Sequence, residues 1–190
     1  WNTEIGILNF LPGGAHNVAN DKTKHLVRKW VPRVLRATAP RNSTNMDWIV
    51  FRVAELYLNY AEALNEYYET PPKEAFDAVL KVRERSGMPG FPSTLNKKQF
   101  REKLRRERAV ELAYEDHRFW DIRRWLIADD EGVMKGAMYG LQLSAVTGAP
   151  GKVHYKPYVF ENRLWSDRSY LHPIKQTEID KGYMLQNPGW

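Results

Sequence analysis

The stretch RVAELYLNYAEALNE, residues 52–66, decides the fold class of this chain. Its apolar residues recur at offsets of three and four, which is the stripe of an amphipathic helix. The stripe consists of Val53, Leu56, Tyr57, Tyr60, Ala61 and Leu64. Pro71 and Pro72 break this helix, and helical spacing resumes from Lys73 to about Arg85. Because the link is short, the sequence predicts an antiparallel helix pair of the tetratricopeptide type, which cannot bury both of its faces alone.

Further elements are predicted on both sides of this pair. Asn96 and Gln99 indicate a capping box at the start of a long helix that reaches about Tyr114. A shorter helix is expected from about Phe119 to Ile127, and a helical turn from Lys175 to Asp180. Residues 1–48 predict loops with short extended runs such as His25–Val34, and residues 130–170 predict loops and a hairpin.

The predicted fold is therefore mainly α, with tetratricopeptide-like helix pairs, long irregular loops and a few short strands. The chain has 190 residues, of which 43% are apolar, so it is long enough to bury a core. We expect one domain with a loop-rich segment at 1–50, a helical core at 51–128 and a second loop-rich segment at 129–190.

Composition excludes several kinds of chemistry. The sequence has no cysteine, so disulfides, thiolate nucleophiles, zinc–thiolate sites and iron–sulfur clusters are excluded. No stretch approaches the roughly 18 apolar residues of a membrane-spanning helix. The five histidines are scattered without metal-ligand spacing, and we find no glycine-rich phosphate loop, so we expect no metal and no cofactor. Because the first residue is Trp1 rather than Met and no charged-then-apolar leader follows it, we expect a processed product or a fragment.

Charge is concentrated in REKLRRERAVELAYEDHRFWDIRRW, residues 101–125. The chain as a whole carries 29 basic and 23 acidic residues, a formal net charge of +6. A nucleic-acid helix would show a basic face poor in acids, whereas this stretch interleaves the two signs. The pattern favours internal ion pairing and argues against nucleic acid as a partner.

Three glutamates in this stretch, Glu107, Glu111 and Glu115, would line one face of a helix that extends far enough. They suit either paired carboxylates for acid and base catalysis, as in glycoside hydrolysis, or a structural arginine–carboxylate network. We favour the network, because arginines that can neutralise the glutamates lie within a few positions. Its predicted members are Glu107, Arg108, Glu111, Glu115, Arg118, Asp121 and Arg124. The cations are expected from Arg83, Arg118, Arg123 or Arg124.

Aromatic residues in the predicted loops give the ligand-binding candidates. Flat rings exposed in loops stack on the C–H faces of sugars, although the same rings also pack against a helical layer, and both interpretations remain open. The loop aromatics are Trp1, Trp30, Trp48, Tyr139, Tyr155, Tyr158 and Trp165. From these we select Trp1, Trp30, Tyr155 and Trp165 as candidate ligand-binding residues. Trp120 and Trp125 lie in a helical segment and are expected in the core.

Five motifs occur in an order that resembles the C-terminal half of the SusD/RagB family. They are RVAELYLNYAEALNE at 52–66, KVRERSGMP at 81–89, RRERAVELAYEDHRFWDIRRW at 105–125, YLHPIKQTEI at 170–179 and QNPGW at 186–190. The resemblance covers about residues 50–190. It implies an α-helical outer-membrane lipoprotein of Bacteroidetes-type bacteria that captures glycans for a TonB-dependent, SusC-like transporter. The lipid anchor of such a protein would lie outside this chain.

The resemblance also implies that the protein is not an enzyme and that residues 105–124 belong to the scaffold. It carries no sugar-contacting residue to a position of this chain, so the four aromatic candidates rest on their place in loops. Two functions are therefore expected: glycan capture at the cell surface, or a non-catalytic scaffold or lid that docks on the transporter with little ligand contact.

Overall fold

The computed structural model describes residues 22–24, 27, 29, 30, 48–148 and 152–190. The helices are α1 (Val53–Tyr67), α2 (Lys73–Glu84), α3 (Lys97–Glu111), α4 (His117–Arg124) and α5 (Gln176–Ile179). The strands are β1 (Gly136–Ala145) and β2 (Val153–Arg163), and a 3-10 turn covers Asp167–Tyr170. The mainly α fold is confirmed. Trp1 and most of the predicted extended run His25–Val34 lie outside the described residues.

One compact unit, Asp47–Asp121, contains the first three helices and is called here the helical unit. Helix α1 packs on α2 and on α3, and the five-residue link at 68–72 returns the chain so that α1 and α2 run antiparallel. Phe100 is fully buried at the centre, where its ring makes edge-to-face contacts with Phe76 and Phe91. The core consists of Leu58, Ala61, Ala75, Ala78, Val79, Val82, Phe100, Leu104 and Leu112.

Helix α1 is apolar on two faces, and the face in the core is not the one that dominates the sequence stripe. Leu58, Ala61 and Asn65 are completely buried. Four residues of the stripe, Val53, Leu56, Tyr57 and Tyr60, are 38% to 62% exposed. Periodicity shows that a face is apolar, but it does not show which neighbour covers it. Of the remaining stripe residues, Ala61 lies in the core and Leu64 packs against it.

The start of α3 agrees with its prediction, and its end does not. Asn96 Oδ1 accepts a hydrogen bond from the Gln99 amide (2.9 Å), and Gln99 Oε1 accepts one from the Asn96 amide (3.1 Å), so the capping box is confirmed. The helix ends at Glu111 rather than near Tyr114. Tyr114 and Asp116 both have a left-handed φ of 62°, a conformation that no α-helix continues through. Glu115 therefore lies in a turn and not on the helix face.

Trp120, in α4, and Trp125, directly after it, were both predicted in the core, and the structure places them differently. Asp121 and Ile122 are the buried residues of this eight-residue helix. Trp120 is 62% exposed, and its ring meets the ring of Phe119 in an edge-to-face contact (4.9 Å). The prediction of Trp120 as a core residue was wrong, because a short helix that buries positions 121 and 122 turns the preceding residues outward. Trp125 is partly buried.

The remaining described residues belong to a second compact unit, called here the C-terminal unit, which includes Ile122–Trp190. Its strands pair in an antiparallel hairpin, with Tyr139 opposite Val159 and Ala145 opposite Val153. A bulge lies between Met138 and Tyr139. The hairpin predicted within residues 130–170 is thus present.

After the hairpin, side chains near the end of the chain form hydrogen bonds with the backbone of residues 172–174. Gln186 Oε1 accepts from the Ile174 amide (2.8 Å), and Gln186 Nε2 donates to the Ile174 carbonyl (2.9 Å). Asn187 Nδ2 donates to the His172 carbonyl (2.6 Å). At Gly189, φ is 87° and an added Cβ would lie 2.8 Å from Arg168 Cβ, so only glycine fits without strain. The motifs YLHPIKQTEI and QNPGW are therefore two halves of one packed segment.

Candidate functional site

Arg52, the residue that precedes α1, holds two of the three predicted glutamates. Its Nη1 donates to Glu111 Oε1 (2.6 Å), its Nε donates to Glu115 Oε2 (2.8 Å), and its Nη2 donates to the Glu111 carbonyl (2.7 Å). The side chains of Arg52, Glu111 and Glu115 are 23%, 12% and 4% exposed. The hydrogen bond to Glu115 is the largest cause of the raised pKa of Arg52. This fork joins the start of α1 to the end of α3.

Arginines from α2 and its C-terminal end complete the pairing of the glutamates. Arg83 donates to Glu107 Oε2, and its Nε also donates to the Pro89 carbonyl (2.6 Å). Arg85 Nη2 donates to Glu111 Oε1 (3.0 Å). Sequence reasoning named Arg83 but missed Arg52 and Arg85. Arg52 is 59 and 63 positions from its two acceptors, so no local spacing pointed to it.

Arg108 forms a separate centre of the same network. It is 4% exposed, its Nε donates to Asp121 Oδ2 (2.7 Å), and its Nη1 donates to Asn59 Oδ1 (2.5 Å). Glu55 lies near both Arg108 Nη2 (4.0 Å) and His117 Nε2 (3.5 Å). A buried guanidinium with these partners fixes the geometry of α3 against α1 and the start of α4.

The two other predicted members occupy different surroundings. Arg118 is exposed on α4, and the guanidinium of Arg124 lies over the ring of Trp125 (4.7 Å). The structure thus brings together Glu107, Arg108, Glu111, Glu115 and Asp121 through arginine forks. Carboxylate oxygens engaged by guanidinium N–H groups are poorly placed to transfer protons to a substrate. The arrangement favours the structural interpretation over the catalytic one.

The described aromatic candidates differ in accessibility. Trp30 is partly buried. Trp165 is also partly buried, with the guanidinium of Arg123 over its ring (5.3 Å) and the edge of Tyr170 against it (5.2 Å). Tyr155, on β2, is 67% exposed. Of the four candidates, Tyr155 therefore has the most open ring among the described residues, whereas Trp165 is engaged by its neighbours.

The register of the hairpin places Tyr155 on a face made only of apolar residues. Successive residues of a strand point to opposite sides, so every second pair shares a face. The four pairs on this side are Tyr139 with Val159, Leu141 with Pro157, Leu143 with Tyr155, and Ala145 with Val153. We call these eight residues the apolar ribbon face. The opposite side carries Gly140, Gln142, Ser144, His154, Lys156 and Tyr158.

Tyr139 is the residue on this face that sequence reasoning did not select. It is 64% exposed, close to the value of Tyr155. The alternation of YGLQLSA at 139–145 is the signal that could have found it, because it predicts a strand with one apolar side. Next to the Tyr139–Val159 pair the register skips Phe160, which is the bulged residue of β2.

Close backbone contact fixes the hairpin from its far side. The Leu141 amide donates to the Lys22 carbonyl (2.9 Å). A Cβ at Gly140 would lie 2.3 Å from that carbonyl oxygen, so the approach requires glycine. This hydrogen bond holds the edge of β1 in place.

Tyr170 organises the turn after α4. Its hydroxyl donates to Asp129 Oδ1 (2.5 Å) and accepts from the amides of Ala128 (3.0 Å) and Asp129 (3.3 Å). The hydrogen bond from Tyr170 lowers the pKa of the Asp129 carboxyl. Desolvation, followed by the bond to Asp129, raises the pKa of Tyr170. Because Trp165 packs on Tyr170, this pair also sets the position of that tryptophan.

A shallow cleft of about 400 Å³ lies between residues 166–171 and Pro188–Gly189. The guanidinium of Arg168 covers the Trp190 ring (4.6 Å), and Trp190 Nε1 donates to the Arg168 carbonyl (3.0 Å). Within the described part of the chain, no group of three or more His, Asp or Glu side chains is arranged to hold a metal ion. Among the same residues, we find no helix with the length and apolarity needed to span a membrane.

A family profile and two curated relatives all relate this chain to SusD-like proteins. The sequence profile of the SusD family matches residues 7–190. Two SusD-like proteins of Formosa agariphila are similar: P25 is 40% identical over 95 residues, 48% of this chain and 18% of that protein, and P2 is 30% identical over 158 residues, 78% and 26%. The chain therefore spans about a quarter or less of the curated relatives it matches.

Solved structures agree with the sequence comparisons. A SusD-like protein from Bacteroides fragilis superimposes with a TM-score of 0.64 at 33% identity, over 76% of this chain and 26% of that one. A SusD homologue from Bacteroides thetaiotaomicron gives a TM-score of 0.54 at 30% identity, over 78% and 30%.

Removing the Glu111 carboxylate tests the arginine network. We expect Glu111→Ala to lower the free energy of unfolding by about 3 kcal/mol, because it leaves Arg52 and Arg85 without a shared, mostly buried partner. Urea unfolding followed by circular dichroism measures the change. Glu102→Ala, at an exposed position of the same helix, serves as the control and should change the value by less than about 0.5 kcal/mol. An equally small effect of Glu111→Ala would show that the glutamates are solvated.

The Asp129–Tyr170 pair makes stability depend on pH in a defined direction. Since the folded-state pKa of Asp129 is lowered, its contribution is present above the unfolded pKa of about 3.9 and is lost as the pH falls through the folded value. A carboxyl titration followed by NMR should place Asp129 below about 3.9. Tyr170→Phe should move it upward toward that value, and an unchanged titration in this variant would contradict the assignment.

Proposed function

The chain belongs to the SusD family, and from this membership we propose that it serves in the capture of glycans at the bacterial outer membrane. The family match over residues 7–190 is the observation that carries the proposal. The exposed aromatic residues of the hairpin support it, because sugar rings stack on open aromatic faces.

We further propose that the glycan is bound and not cleaved. A glycosidase needs two carboxyl groups free to act as acid and as base or nucleophile. In the helical unit, Glu107, Glu111 and Glu115 are paired with arginines instead. Their pairing supports a role in holding the helices together.

The partner in this proposal is a SusC-like, TonB-dependent transporter, and the location is the cell surface at the outer membrane. Both follow from the family and not from a contact within these residues. In such a system the protein concentrates an oligosaccharide or polysaccharide beside the transporter. Modest affinity suits this role, since the ligand must be released for uptake.

A second function is favoured by the exposed side of α1. Val53, Leu56, Tyr57 and Tyr60 form an apolar strip on the surface of the helical unit, and surfaces of this kind mark contacts with other proteins. In this alternative the chain is mainly a scaffold or lid that docks on the transporter, with little ligand contact of its own.

Titration against a panel of soluble polysaccharides tests the proposal. We expect intrinsic tryptophan fluorescence to change on addition of at least one of starch, laminarin, xyloglucan or polygalacturonate. Reducing ends measured in the same samples should not increase. Release of reducing ends would contradict a purely binding role. Association with the transporter in the absence of any glycan response would favour the scaffold function.

A further inference from the structure

We propose that the apolar ribbon face is a carbohydrate-stacking platform on which Tyr139 and Tyr155 hold the rings of an uncharged glycan segment. This inference rests on the proposed glycan-binding function and assigns it to a site in the C-terminal unit.

The two tyrosines lie on different strands, in the first and third of the four residue pairs of the apolar ribbon face. Tyr155 is paired with Leu143, four residues along β1 from Tyr139, so the two positions are about 13 Å apart along the strand. Leu141 and Pro157 form the pair between them. Two open rings separated by a smooth apolar stretch match a ligand that is extended and repeats its apolar faces, as a glycan chain does.

The area of the face is suited to a glycan and too small for a protein. Residues 139–145 extend about 20 Å, and two strands are about 10 Å wide, which gives about 200 Å². A stable protein interface buries about 800 Å² on each partner. A second copy of this chain or a folded partner would therefore need contacts well beyond these eight residues, whereas a few sugar rings would cover the face.

The charge distribution selects an uncharged ligand. None of the eight residues on the face is ionisable near neutral pH, and the two tyrosine hydroxyls supply hydrogen bonds to sugar hydroxyls. Lys156 and His154 lie on the opposite side of the hairpin. An acidic polymer would be attracted to that opposite side, so the apolar ribbon face is complementary to a neutral glycan.

The platform is also held in position before any ligand binds. The hydrogen bond from the Leu141 amide to the Lys22 carbonyl fixes the edge of β1, and the antiparallel pairing from Gly136 to Ala145 holds the two strands together. A rigid surface reduces the ordering cost of binding, which is a large part of the cost for shallow sites.

The experiment compares variants of the whole chain by affinity electrophoresis in gels that contain laminarin, xyloglucan, starch or polygalacturonate. We expect Tyr139→Ala/Tyr155→Ala to bind the neutral glycan at least about tenfold more weakly, since each ring provides stacking area and a tenfold change needs only a modest loss. The matched control is Gln142→Ala/Ser144→Ala on the opposite side, which should bind within about twofold of the wild type.

A second variant distinguishes the contribution of the aromatic rings from that of the tyrosine hydroxyl groups. Tyr139→Phe/Tyr155→Phe keeps both rings and should retain most of the binding, which a stacking surface predicts. Circular dichroism identifies any variant that fails to fold. Should the alanine variant unfold, saturation-transfer NMR on the wild type with laminarin or xyloglucan replaces it, and contact between tyrosine protons and the glycan is then the expected result.

The outcomes distinguish this inference from the function on which it rests. Wild-type chain that binds none of the glycans would overturn both. Binding that the alanine variant retains in full would overturn the platform and leave glycan capture standing. Binding only to polygalacturonate would overturn the uncharged ligand. A wild-type dimer that the alanine variant dissociates, with glycan binding unchanged, would assign the face to a second copy.

Discussion

The helical unit depends on one interaction, the guanidinium of Arg52 between the end of α3 and the turn that follows it. A single side chain at the start of α1 donates to the Glu111 carboxylate, the Glu111 carbonyl and the Glu115 carboxylate. Glu115 lies beyond the end of the helix, where a left-handed turn redirects the chain toward α4. Because the planar fork of arginine has fixed directions, it ties the end of α3 and the turn that follows it to the start of α1.

The features that could be predicted from the sequence are those formed by residues close together in the chain. The capping box of Asn96 and Gln99 is a contact over three residues, and it was found. The α1–α2 pair follows from apolar spacing and two prolines. By contrast, the Arg52 fork joins residues about 60 positions apart, and local spacing holds no information about it. The same limit explains Trp120, which the sequence places in a helix but whose exposure depends on which face is covered.

The candidate ligand-binding residues also depend on contacts that the sequence does not show. Tyr155 was selected because it lies in a loop-rich segment, yet the structure places it in a strand whose register brings it to the same face as Tyr139. Trp165 was selected by the same rule, but its ring is engaged by Arg123 and Tyr170. An aromatic residue in a predicted loop is therefore a weak guide until the pairing of the strands is known. The sequence motifs shared with the family lie in the scaffold. The candidate ligand surface is identified by the exposure of its side chains and the register of the two strands.

Two parts of the chain have different proposed roles: ion pairs of the helical unit stabilise the fold, and the apolar ribbon face of the C-terminal unit is proposed to bind the glycan. Chemical-shift mapping of the isotopically labelled chain during titration with a neutral oligosaccharide tests this division directly. The account predicts changes at Tyr139, Leu141, Tyr155 and Val159, with little change at Glu107, Glu111 and Glu115. Changes concentrated at the three glutamates, with the hairpin unaffected, would contradict it.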